Sequence, residues 1–441
     1  MLDVGRHPNI ELLAYSEVEA LTGEAGNFKA TIRRKARFVD EDKCTGCGAC
    51  TEKCPVSVSD DFNVGLSDRH AVYSYFAQGI PSTHTIDARY CRQLNGKKCG
   101  ICAKMCQAGA INFEQEDRVL EIGVGAVIVA TGYEVFNPNK IPEYGYRKLP
   151  NVLTALEFER LLSASGPTHG HLDRPSDMAI KAEYAELKKA ADKAKKVLDR
   201  LEEKHGMTSE EACAVPSDDE ERKEWAEKHK AYLQDVAHLT AVEAKVKEAK
   251  VAERLAFVQC VGSRDFRFYP FCSSYCCMHA IKEAIIAHEH GANTTPTIFG
   301  MDIRAVGKGF EEYKIRGGNN SNITYIRGRV AEINETTDHN PVIVYEDTRE
   351  QVVKSEEFDM VILSTACAPS EGIRQLADTL GVEINEFGFF QTDLVQPLDT
   401  TRTGVYVCGC AHSPMDIPES VAQASSAAAR AVELVRSKSA S

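Results

Sequence analysis

Eight cysteines in the first quarter of the chain stand at spacings that suit the binding of inorganic clusters. They form two runs, Cys44-x2-Cys47-x2-Cys50-x3-Cys54-Pro55 and Cys91 with Cys99-x2-Cys102-x3-Cys106. Four thiolates at these spacings can enclose a cubane iron–sulfur cluster, whereas structural zinc is bound through pairs of CxxC knuckles. The spacing therefore favours two [4Fe-4S] clusters over zinc and predicts a protein that carries electrons.

The spacing also predicts which thiols share a cluster. In two-cluster ferredoxins the last cysteine of each run binds the cluster of the other run. We therefore expect two sets of ligands, one made of Cys44, Cys47, Cys50 and Cys106 and the other of Cys91, Cys99, Cys102 and Cys54.

A third cysteine pattern begins within a predicted strand, Leu255–Arg264, in the second half of the chain. It consists of Cys260, Cys272, Cys276 and Cys277. A nicotinamide-binding domain places its glycine-rich turn after such a strand, but here the second glycine of that turn is missing. The spacing alone leaves two interpretations open, a third cluster or a group of buried free cysteines.

The composition sets outer limits on the function. A chain of 441 residues is predicted to form two or three domains, and a net charge of −13 argues against a nucleic-acid partner. The longest apolar stretch, Ile122–Gly132, is too short to cross a bilayer. The start of the chain, Met1–Gly5, lacks the features of a signal peptide, and with the metal-spaced thiols this predicts a reducing, cytoplasmic location.

Segments on both sides of the first cysteine block are predicted to form strands, namely Asn9–Ala14, Phe28–Arg33 and Gly123–Tyr133. The last is expected to be one buried strand that ends in Ala130-Thr131-Gly132. A strand with this ending is typical of flavoproteins with two dinucleotide-binding domains, in which the chain crosses between domains beside the flavin.

Residues 179–253 differ in composition from the rest of the chain, because they are rich in Ala, Lys, Glu and Leu. Apolar residues recur at spacings of three and four among charged ones, which predicts amphipathic helices on either side of a break at residues 214–219. We expect an antiparallel helical hairpin inserted in a surface loop. A solvated spacer and a docking arm for another subunit remain open as its role.

Four further residues are assigned no functional role from the pattern. Cys367 is predicted to pack in the core, and His279 is predicted to be an ordinary helix residue. Cys408 and Cys410 are expected on one strand, where they would make a poor chelating pair. The chain shows neither a paired-carboxylate nor a Ser–His arrangement that would indicate a hydrolase.

Nine segments outside the helical stretch match the pattern of one known family. They are His7–Leu12, Arg37–Cys47, Ser163–Thr168, Arg174–Asp177, Gln259–Arg264, Tyr275–Met278, Met301–Arg304, Gly307–Glu312 and Asp416–Ser425. Over almost all of its length, except for the helical stretch, the chain resembles the A subunit of heterodisulfide reductase, a flavin-bearing hub that splits electrons between two routes. The resemblance implies that Cys260, Cys272, Cys276 and Cys277 hold a third [4Fe-4S] cluster near the flavin.

The same resemblance implies a site for FAD. The residues that it assigns to the site are Ala130, Thr131, Gly132, Gly409, Cys410 and Ala411, together with Ile417, Pro418 and Ser420 at the start of a following helix. The helix N-terminus would offer backbone N–H groups to the flavin. Lys282 would lie near the flavin, where its charge would stabilise the reduced, anionic form.

The chain departs from the family in one respect. The strand–GxGxxG–helix unit that grips the FAD pyrophosphate is not found in the 441 residues. Either a second polypeptide supplies this unit, or the flavin is lost and the chain is a relay of clusters only. The small residues Gly132, Gly409 and Ala411 favour the first outcome, since a pocket without a ligand would be expected to fill with larger side chains.

The predicted fold is an α/β flavoprotein of the two-dinucleotide-binding-domain, thioredoxin-reductase-like type, with an inserted two-cluster ferredoxin and an inserted helical hairpin. We expect the following domains: 1–37, part of the FAD-binding domain; 38–116, the ferredoxin; 117–178, the return to the FAD domain; 179–253, the hairpin; 254–358, a degenerate nucleotide-binding-like domain with the third cluster; and 359–441, the last part of the FAD-binding domain.

The predicted function is electron relay between FAD and three [4Fe-4S] clusters in a multi-subunit oxidoreductase, by flavin-based electron bifurcation or confurcation. The chain is expected to be inactive without partners. The expected partners are heterodisulfide-reductase-like B and C subunits, a small ferredoxin-like adaptor, hydrogenase or dehydrogenase modules, and a chain that supplies the missing FAD unit; a tungsten-containing aromatic-ring reductase complex is another possible setting. A flavin-free relay and an assembly scaffold are the alternatives. Direct use of a nicotinamide is disfavoured by the degenerate turn after Cys260.

Overall fold

A computed structural model describes residues 2–214, 220–249 and 251–439 of the chain. The strands are β1 (Ser16–Glu24), β2 (Asn27–Arg34), β3 (Ser57–Ser59), β4 (Asp68–His70), β5 (Val72–Tyr73), β6 (Thr85–Ile86), β7 (Arg118–Val124), β8 (Val127–Val129), β9 (Tyr133–Val135), β10 (Val152–Thr154), β11 (Arg254–Val261), β12 (Thr295–Gly300), β13 (Thr324–Glu335), β14 (Pro341–Asp347), β15 (Val352–Glu357), β16 (Met360–Thr365), β17 (Cys367–Pro369) and β18 (Val405–Val407).

The described α-helices lie before, between and after these strands. They are α1 (Leu2–Arg6), α2 (Ala49–Glu52), α3 (Ile101–Met105), α4 (Ala155–Leu162), α5 (Pro175–His205), α6 (Ser209–Ala214), α7 (Glu220–Glu248), α8 (Cys276–His290), α9 (Phe310–Asn320), α10 (Ile373–Leu380) and α11 (Ile417–Ser439). Short 3-10 turns occur at Pro138–Lys140, Pro142–Tyr144 and Gly409–Ala411. None of the described helices is both long enough and apolar enough to span a bilayer.

The first sheet has the order β1–β2–β7 and is antiparallel throughout. Its register places Arg34, at the end of β2, opposite Arg118, at the start of β7. The cysteine-rich block between these two residues therefore leaves and re-enters the sheet at neighbouring positions. The predicted strand at Phe28–Arg33 is confirmed as the middle strand of this sheet.

The predicted strand at Asn9–Ala14 is wrong, because the first strand begins only at Ser16. Ser16 pairs with Arg34, the last residue of β2, so the residues before Ser16 have no partner strand to bond with. Their large apolar side chains stay largely in solvent, with Ile10 45% and Leu12 42% exposed. The apolar pattern in this segment is thus not matched by a buried face.

The prediction of one buried strand over Gly123–Tyr133 is also wrong. The segment is divided into the end of β7, the separate strand β8 and the start of β9. The division follows from close packing at Gly125, where an added Cβ would lie 2.6 Å from a methyl group of Val435 in α11. β8 pairs with β18 and β9 pairs with β17, so the chain changes partners at Ala130–Gly132.

The largest sheet has seven strands in the order β10–β16–β11–β12–β13–β14–β15. The first five are parallel, and β14 and β15 complete it as antiparallel strands. Alternating residues of β11 pack on opposite faces, with Phe257 against α4 and α8 and Val258 against Phe299. Burial on both faces is typical of parallel sheets covered by crossover helices. The predicted α/β class is confirmed.

The helical stretch begins at Pro175 and forms a hairpin of α5 and α7, with the short α6 near its tip. Inside the hairpin Trp225 is buried against Leu198, and its indole N–H donates to Ser209 Oγ at 3.0 Å. Asp173 and Val251 form a bridge at the base, so the hairpin leaves and re-enters the domain at one place. Most of the predicted break lies outside the described residues, since these stop at 214 and resume at 220.

Candidate cluster and flavin site

The two cysteine runs of the first block occupy equivalent structural positions. A glycine in the left-handed conformation precedes each short helix, Gly48 before α2 and Gly100 before α3. One buried cysteine lies within each helix, Cys50 in α2 and Cys102 in α3. Positive φ angles are readily adopted by glycine, so the sequence can turn sharply enough to place thiols around one point.

The electrostatic neighbours of the buried thiols support the predicted crossover of ligands. Burial raises the pKa of Cys50, and charge on Cys44 and Cys106 would raise it further. Burial likewise raises the pKa of Cys102 to about 11, and charge on Cys91, Cys54 and Cys50 would raise it further. The last cysteine of each run therefore lies near the first cysteines of the other run.

The surroundings of the second thiol group fit an inorganic cluster. A small pocket is lined by Cys54, Cys91, Cys99 and Cys102. The described cysteine side chains form no disulfide. Buried thiols of raised pKa are poor anions by themselves, but they ionise when they bind metal ions, whose positive charge favours the thiolate.

The third cysteine group is assembled by a strand end and a helix start. Cys260 has a φ of 61° and lies where the register between β11 and β16 shifts. This β-bulge changes the direction of its side chain. Cys276 and Cys277 open α8, where the helix dipole favours negative charge. The sequence did not predict the bulge, because left-handed cysteine has no sequence signal.

The four thiols of this group influence one another. Burial raises the pKa of Cys260 to about 11, and Cys277 and Cys272 are among the neighbours that add to it. A hydrogen bond from Cys276 lowers the pKa of Cys277 to about 7 and raises that of Cys276. Two N–H groups also approach the sulfurs: Ser274 N donates to Cys272 Sγ at 3.4 Å and Arg264 Nη1 to Cys260 Sγ at 4.0 Å. Such donors tune the reduction potential of a cluster.

Two loops assigned to the flavin lie side by side at the ends of paired strands. β8 and β18 run parallel, with Val129 opposite Val407, so both loops leave the same edge. Gly132 and Gly409 have φ angles of 73° and 66°. A Cβ added at Gly132 would meet no atom within 4 Å. Ala130 and Thr131 are exposed, Cys410 is half-buried and Ala411 is buried, so this edge is open beside the loop.

The helix expected beside the flavin begins at Ile417, as predicted. Ile417 is 80% exposed, and its neighbour Pro418 is also exposed. Asp416 caps the helix, because its Oδ1 accepts from the N–H of Glu419 at 2.8 Å. The Ser420 hydroxyl donates to the backbone oxygen of Asp416 at 2.7 Å. The N–H of Glu419, one of the groups that could bind an anion at this helix end, is thus already bonded to Asp416.

The third cysteine group is tied to the first of these loops. Tyr133, directly after Gly132, packs on Tyr275 with ring centroids 5.6 Å apart. The backbone N–H of Cys367 donates to Ser273 Oγ at 2.9 Å. Tyr275 and Ser273 belong to the segment that carries Cys272 and Cys276. These contacts place a candidate cluster beside a candidate flavin loop.

Lys282 lies on α8 as one member of a polar group that the sequence did not reveal. Its Nζ is 2.6 Å from Glu159 Oε2, and His279 Nε2 is 3.0 Å from the same oxygen. The hydrogen bond with His279, followed by that with Lys282, lowers the pKa of Glu159 to about 2. Glu283 is fully buried nearby, and neither of its oxygens has a hydrogen-bond partner. No motif marked Glu159 or Glu283.

Cys410 lies elsewhere than predicted, whereas Cys367 is buried as predicted. Cys410 does not lie on a strand but in the 3-10 turn Gly409–Ala411, because β18 ends at Val407. Cys367 is buried, as expected, but its thiol is hydrogen-bonded to that of Cys410. Because the chain turns after β18, Cys410 does not continue in the direction of Cys408, and its thiol faces Cys367 instead.

A family model for a 4Fe-4S binding domain matches residues 37–58. This finding confirms the iron–sulfur interpretation of the first cysteine run.

The solved structures of two thioredoxin reductases have a limited similarity to the chain. That of Lactococcus lactis is 13% identical and covers 83% of this chain and 86% of its own, with a TM-score of 0.37. That of T. acidophilum is 21% identical over 43% and 53%, with a TM-score of 0.29. Scores this low carry no argument about the fold.

Characterised relatives align with nearly the whole chain. The A subunit of the H(2):CoB-CoM heterodisulfide,ferredoxin reductase of Methanothermobacter thermautotrophicus is 38% identical over 98% of this chain and 54% of its own length. The A subunit of the ferredoxin:CoB-CoM heterodisulfide reductase of Methanosarcina acetivorans is 37% identical over 98% and 48%, and a protein of Archaeoglobus profundus named for its likeness to the heterodisulfide reductase A subunit is 38% identical over 99% and 58%. The chain spans about half the length of these relatives, and over nearly all of its own length it is similar to heterodisulfide reductase A subunits.

Proposed function

We propose that the chain is an electron-transfer subunit that relays electrons between FAD and three [4Fe-4S] clusters within a larger oxidoreductase. The names of the relatives support the role of an oxidoreductase subunit. The cluster ligands that we assign are Cys44, Cys47, Cys50 and Cys106; Cys91, Cys99, Cys102 and Cys54; and Cys260, Cys272, Cys276 and Cys277.

One observation carries this proposal. The segment with Cys272 and Cys276 contacts β9 and β17 beside the loop Ala130–Gly132, through Tyr275 with Tyr133 and Ser273 with Cys367. A flavin can exchange electrons in pairs or singly, whereas a cluster exchanges them singly, and electrons pass efficiently between two such centres only when these lie close together. The contacts of Tyr275 and Ser273 support a flavin and a cluster as neighbours.

The residues of the chain have separate tasks in this proposal. The cysteine thiolates hold the metal, and the N–H groups of Ser274 and Arg264 act on the sulfurs of Cys272 and Cys260. Lys282 supplies a positive charge on α8, beside His279 of the same helix and Glu159 of α4. Since Glu159 already pairs with Lys282, that charge is partly balanced before any flavin binds.

The flavin would lie along Ala130–Gly132, Gly409–Ala411 and the start of α11 at Ile417, Pro418 and Ser420. The open space at Gly132 and the exposure of Ile417 support this placement. We propose that the glycine-rich unit for the FAD pyrophosphate comes from outside these 441 residues and completes the pocket.

Two of the relatives named above are A subunits of reductases of the CoB-CoM heterodisulfide, and both names include ferredoxin. We therefore propose flavin-based bifurcation or confurcation, with heterodisulfide-reductase-like B and C subunits, a small ferredoxin-like adaptor and hydrogenase or dehydrogenase modules as partners. Metal-spaced reduced thiols support a cytoplasmic location.

Iron, sulfide and flavin analysis of the anaerobically purified chain tests the proposal. Three clusters correspond to about twelve irons per chain and two clusters to about eight. About twelve irons, with FAD retained when the pyrophosphate-binding chain is present, is the expected result. Twelve irons without FAD under both conditions would favour the flavin-free relay, and a colourless zinc protein would refute both.

A further inference from the structure

One pair of cysteines lies outside the three proposed cluster groups. Cys367 begins β17, and Cys410 lies in the 3-10 turn that follows β18. The two are far apart in the sequence, but their thiols are hydrogen-bonded to each other. Both are reduced.

Strand pairing fixes the position of this pair independently of the thiols. Cys367 is opposite Val135 in the pairing of β17 with β9, directly after the loop Ala130–Gly132. On the other side of that loop, the N–H of Cys408 donates to the oxygen of Val129 at 3.0 Å. β17, which begins with Cys367, and β18, which the turn with Cys410 follows, therefore pair with the strands on either side of the loop to which we assign the flavin.

The two thiols differ in the way that thiol–disulfide chemistry requires. Cys367 is fully buried and Cys410 is half-buried, so only Cys410 is open to attack or to exchange. The S–H of Cys367 lowers the pKa of Cys410 to about 6, while the same bond raises the pKa of Cys367. A partly exposed thiolate beside a buried thiol is the arrangement of a reactive and a resolving cysteine.

We propose that Cys367 and Cys410 are a redox-active dithiol that converts reversibly into a disulfide and exchanges two electrons with the flavin. On oxidation the S–H bond of Cys367 breaks, one S–S bond forms between its sulfur and the thiolate of Cys410, and one proton leaves. The two electrons pass to the oxidised isoalloxazine ring of FAD, which takes up protons as it is reduced; the reverse reaction opens the disulfide. The exchange with flavin rests on the proposed function, whereas the dithiol itself does not.

The dithiol is tested on the complete chain without any need for flavin. The anaerobic protein is equilibrated with mixtures of reduced and oxidised dithiothreitol, quenched in acid, alkylated, digested and analysed by mass spectrometry. We expect a peptide that links Cys367 to Cys410, which appears and disappears reversibly as the mixture changes. Separate alkylation of both residues at every ratio, or equal capture of the neighbouring Cys408, would overturn the proposal.

Coupling to the flavin is tested by anaerobic reductive titration of the chain reconstituted with FAD. Wild-type protein prepared as the disulfide is expected to take up two more electrons per chain than Cys367→Ala, and Cys408→Ala is the matched control that keeps the wild-type uptake. Iron content and the cluster signals check that each variant folds. Equal uptake by Cys367→Ala and wild type, with the linked peptide present, would refute the exchange with flavin but not the dithiol. A chain that binds no FAD would refute the proposed flavin function separately.

Discussion

Left-handed residues shape the chain at the third cysteine group. Cys260, Gly262 and Arg264 all have positive φ angles, so the segment after β11 turns back on itself within five residues. The turn aims Cys260 toward the start of α8 and Arg264 toward Asp302, with 2.6 Å between Nη1 and Oδ1. The backbone conformation of three residues thus determines where one thiol points.

Gly262→Ala is expected to disturb this turn for two reasons. Its φ is 83°, which costs a residue with a Cβ about 1–2 kcal/mol. In addition, the new Cβ would lie 2.4 Å from the ring of Phe136. The melting temperature and the iron retained by the third group should both fall.

Gly372→Ala is the matched control, because Gly372 has a φ of 77° and no atom within 4 Å of an added Cβ. It should show the effect of the left-handed backbone alone. If Gly262→Ala lowers the melting temperature no more than Gly372→Ala does, the contact with Phe136 contributes nothing.

Glu283 is expected to make the protein less stable as the pH rises. Burial raises the pKa of Glu283 well above its usual range, so it keeps a proton in the folded chain that it would lose in the unfolded one. Stability is therefore lost above the unfolded pKa, by up to about 1.4 kcal/mol per pH unit. His279, Lys282 and Glu159 are the charged or titratable groups that face it.

Glu283→Gln tests this expectation, since an amide has no proton to lose. From about pH 5 to pH 8, the melting temperature of the variant should rise relative to that of wild type. The exposed Glu289 lies on the same helix, and Glu289→Gln provides the control. Parallel pH profiles for wild type and Glu283→Gln would show that Glu283 is ionised in the folded protein.

At the scale of the elements, local spacing predicted more than long-range pairing did. The cysteine runs and the helical hairpin follow from patterns of a few residues, and the structure has both. The contact of Cys367 with Cys410 and that of Glu159 with Lys282 join distant segments, so no local pattern could reveal them. Strand predictions were wrong in two places. The apolar run before Ser16 lacks a partner strand, and the run around Gly125 is divided where α11 packs against it.

The helical hairpin is expected to be separable from the cluster-binding parts. Its base is closed by the bridge of Asp173 with Val251, and Arg174 is held by Asp177 and Asn340, which both lie outside residues 181–248. Replacement of residues 181–248 by a short Gly/Ser linker should therefore leave iron and sulfide contents unchanged.

The same variant distinguishes the two roles of the hairpin. If α5 and α7 are a docking arm, co-purification with partner subunits should be lost while the cluster signals persist. If assembly is unchanged, the hairpin is only a spacer. If iron is lost, the hairpin stabilises the parts of the chain that bind the clusters.

At the scale of the whole molecule, the ferredoxin block and the third cysteine group belong to different parts of the fold. The first is inserted between β2 and β7, and the second lies on β11 and α8 of the largest sheet. Cys276→Ser should therefore abolish one paramagnetic signal of the reduced protein and leave the ferredoxin pair intact. Electron paramagnetic resonance with iron analysis measures this.

Cys408→Ala is the control for Cys276→Ser, because Cys408 is an equally buried cysteine that we assign to no cluster. It should retain all signals. If Cys276→Ser removes the signals of all three clusters together, the third group is a folding element on which the others depend.

The neighbouring positions of Arg34 and Arg118 have a consequence for how such a protein can be built. An ordinary β-turn could join these two strand ends and close the first sheet without rearrangement. The cysteine-rich segment is therefore a cassette, which a chain of this kind could acquire, exchange or lose in evolution while its scaffold keeps the same architecture.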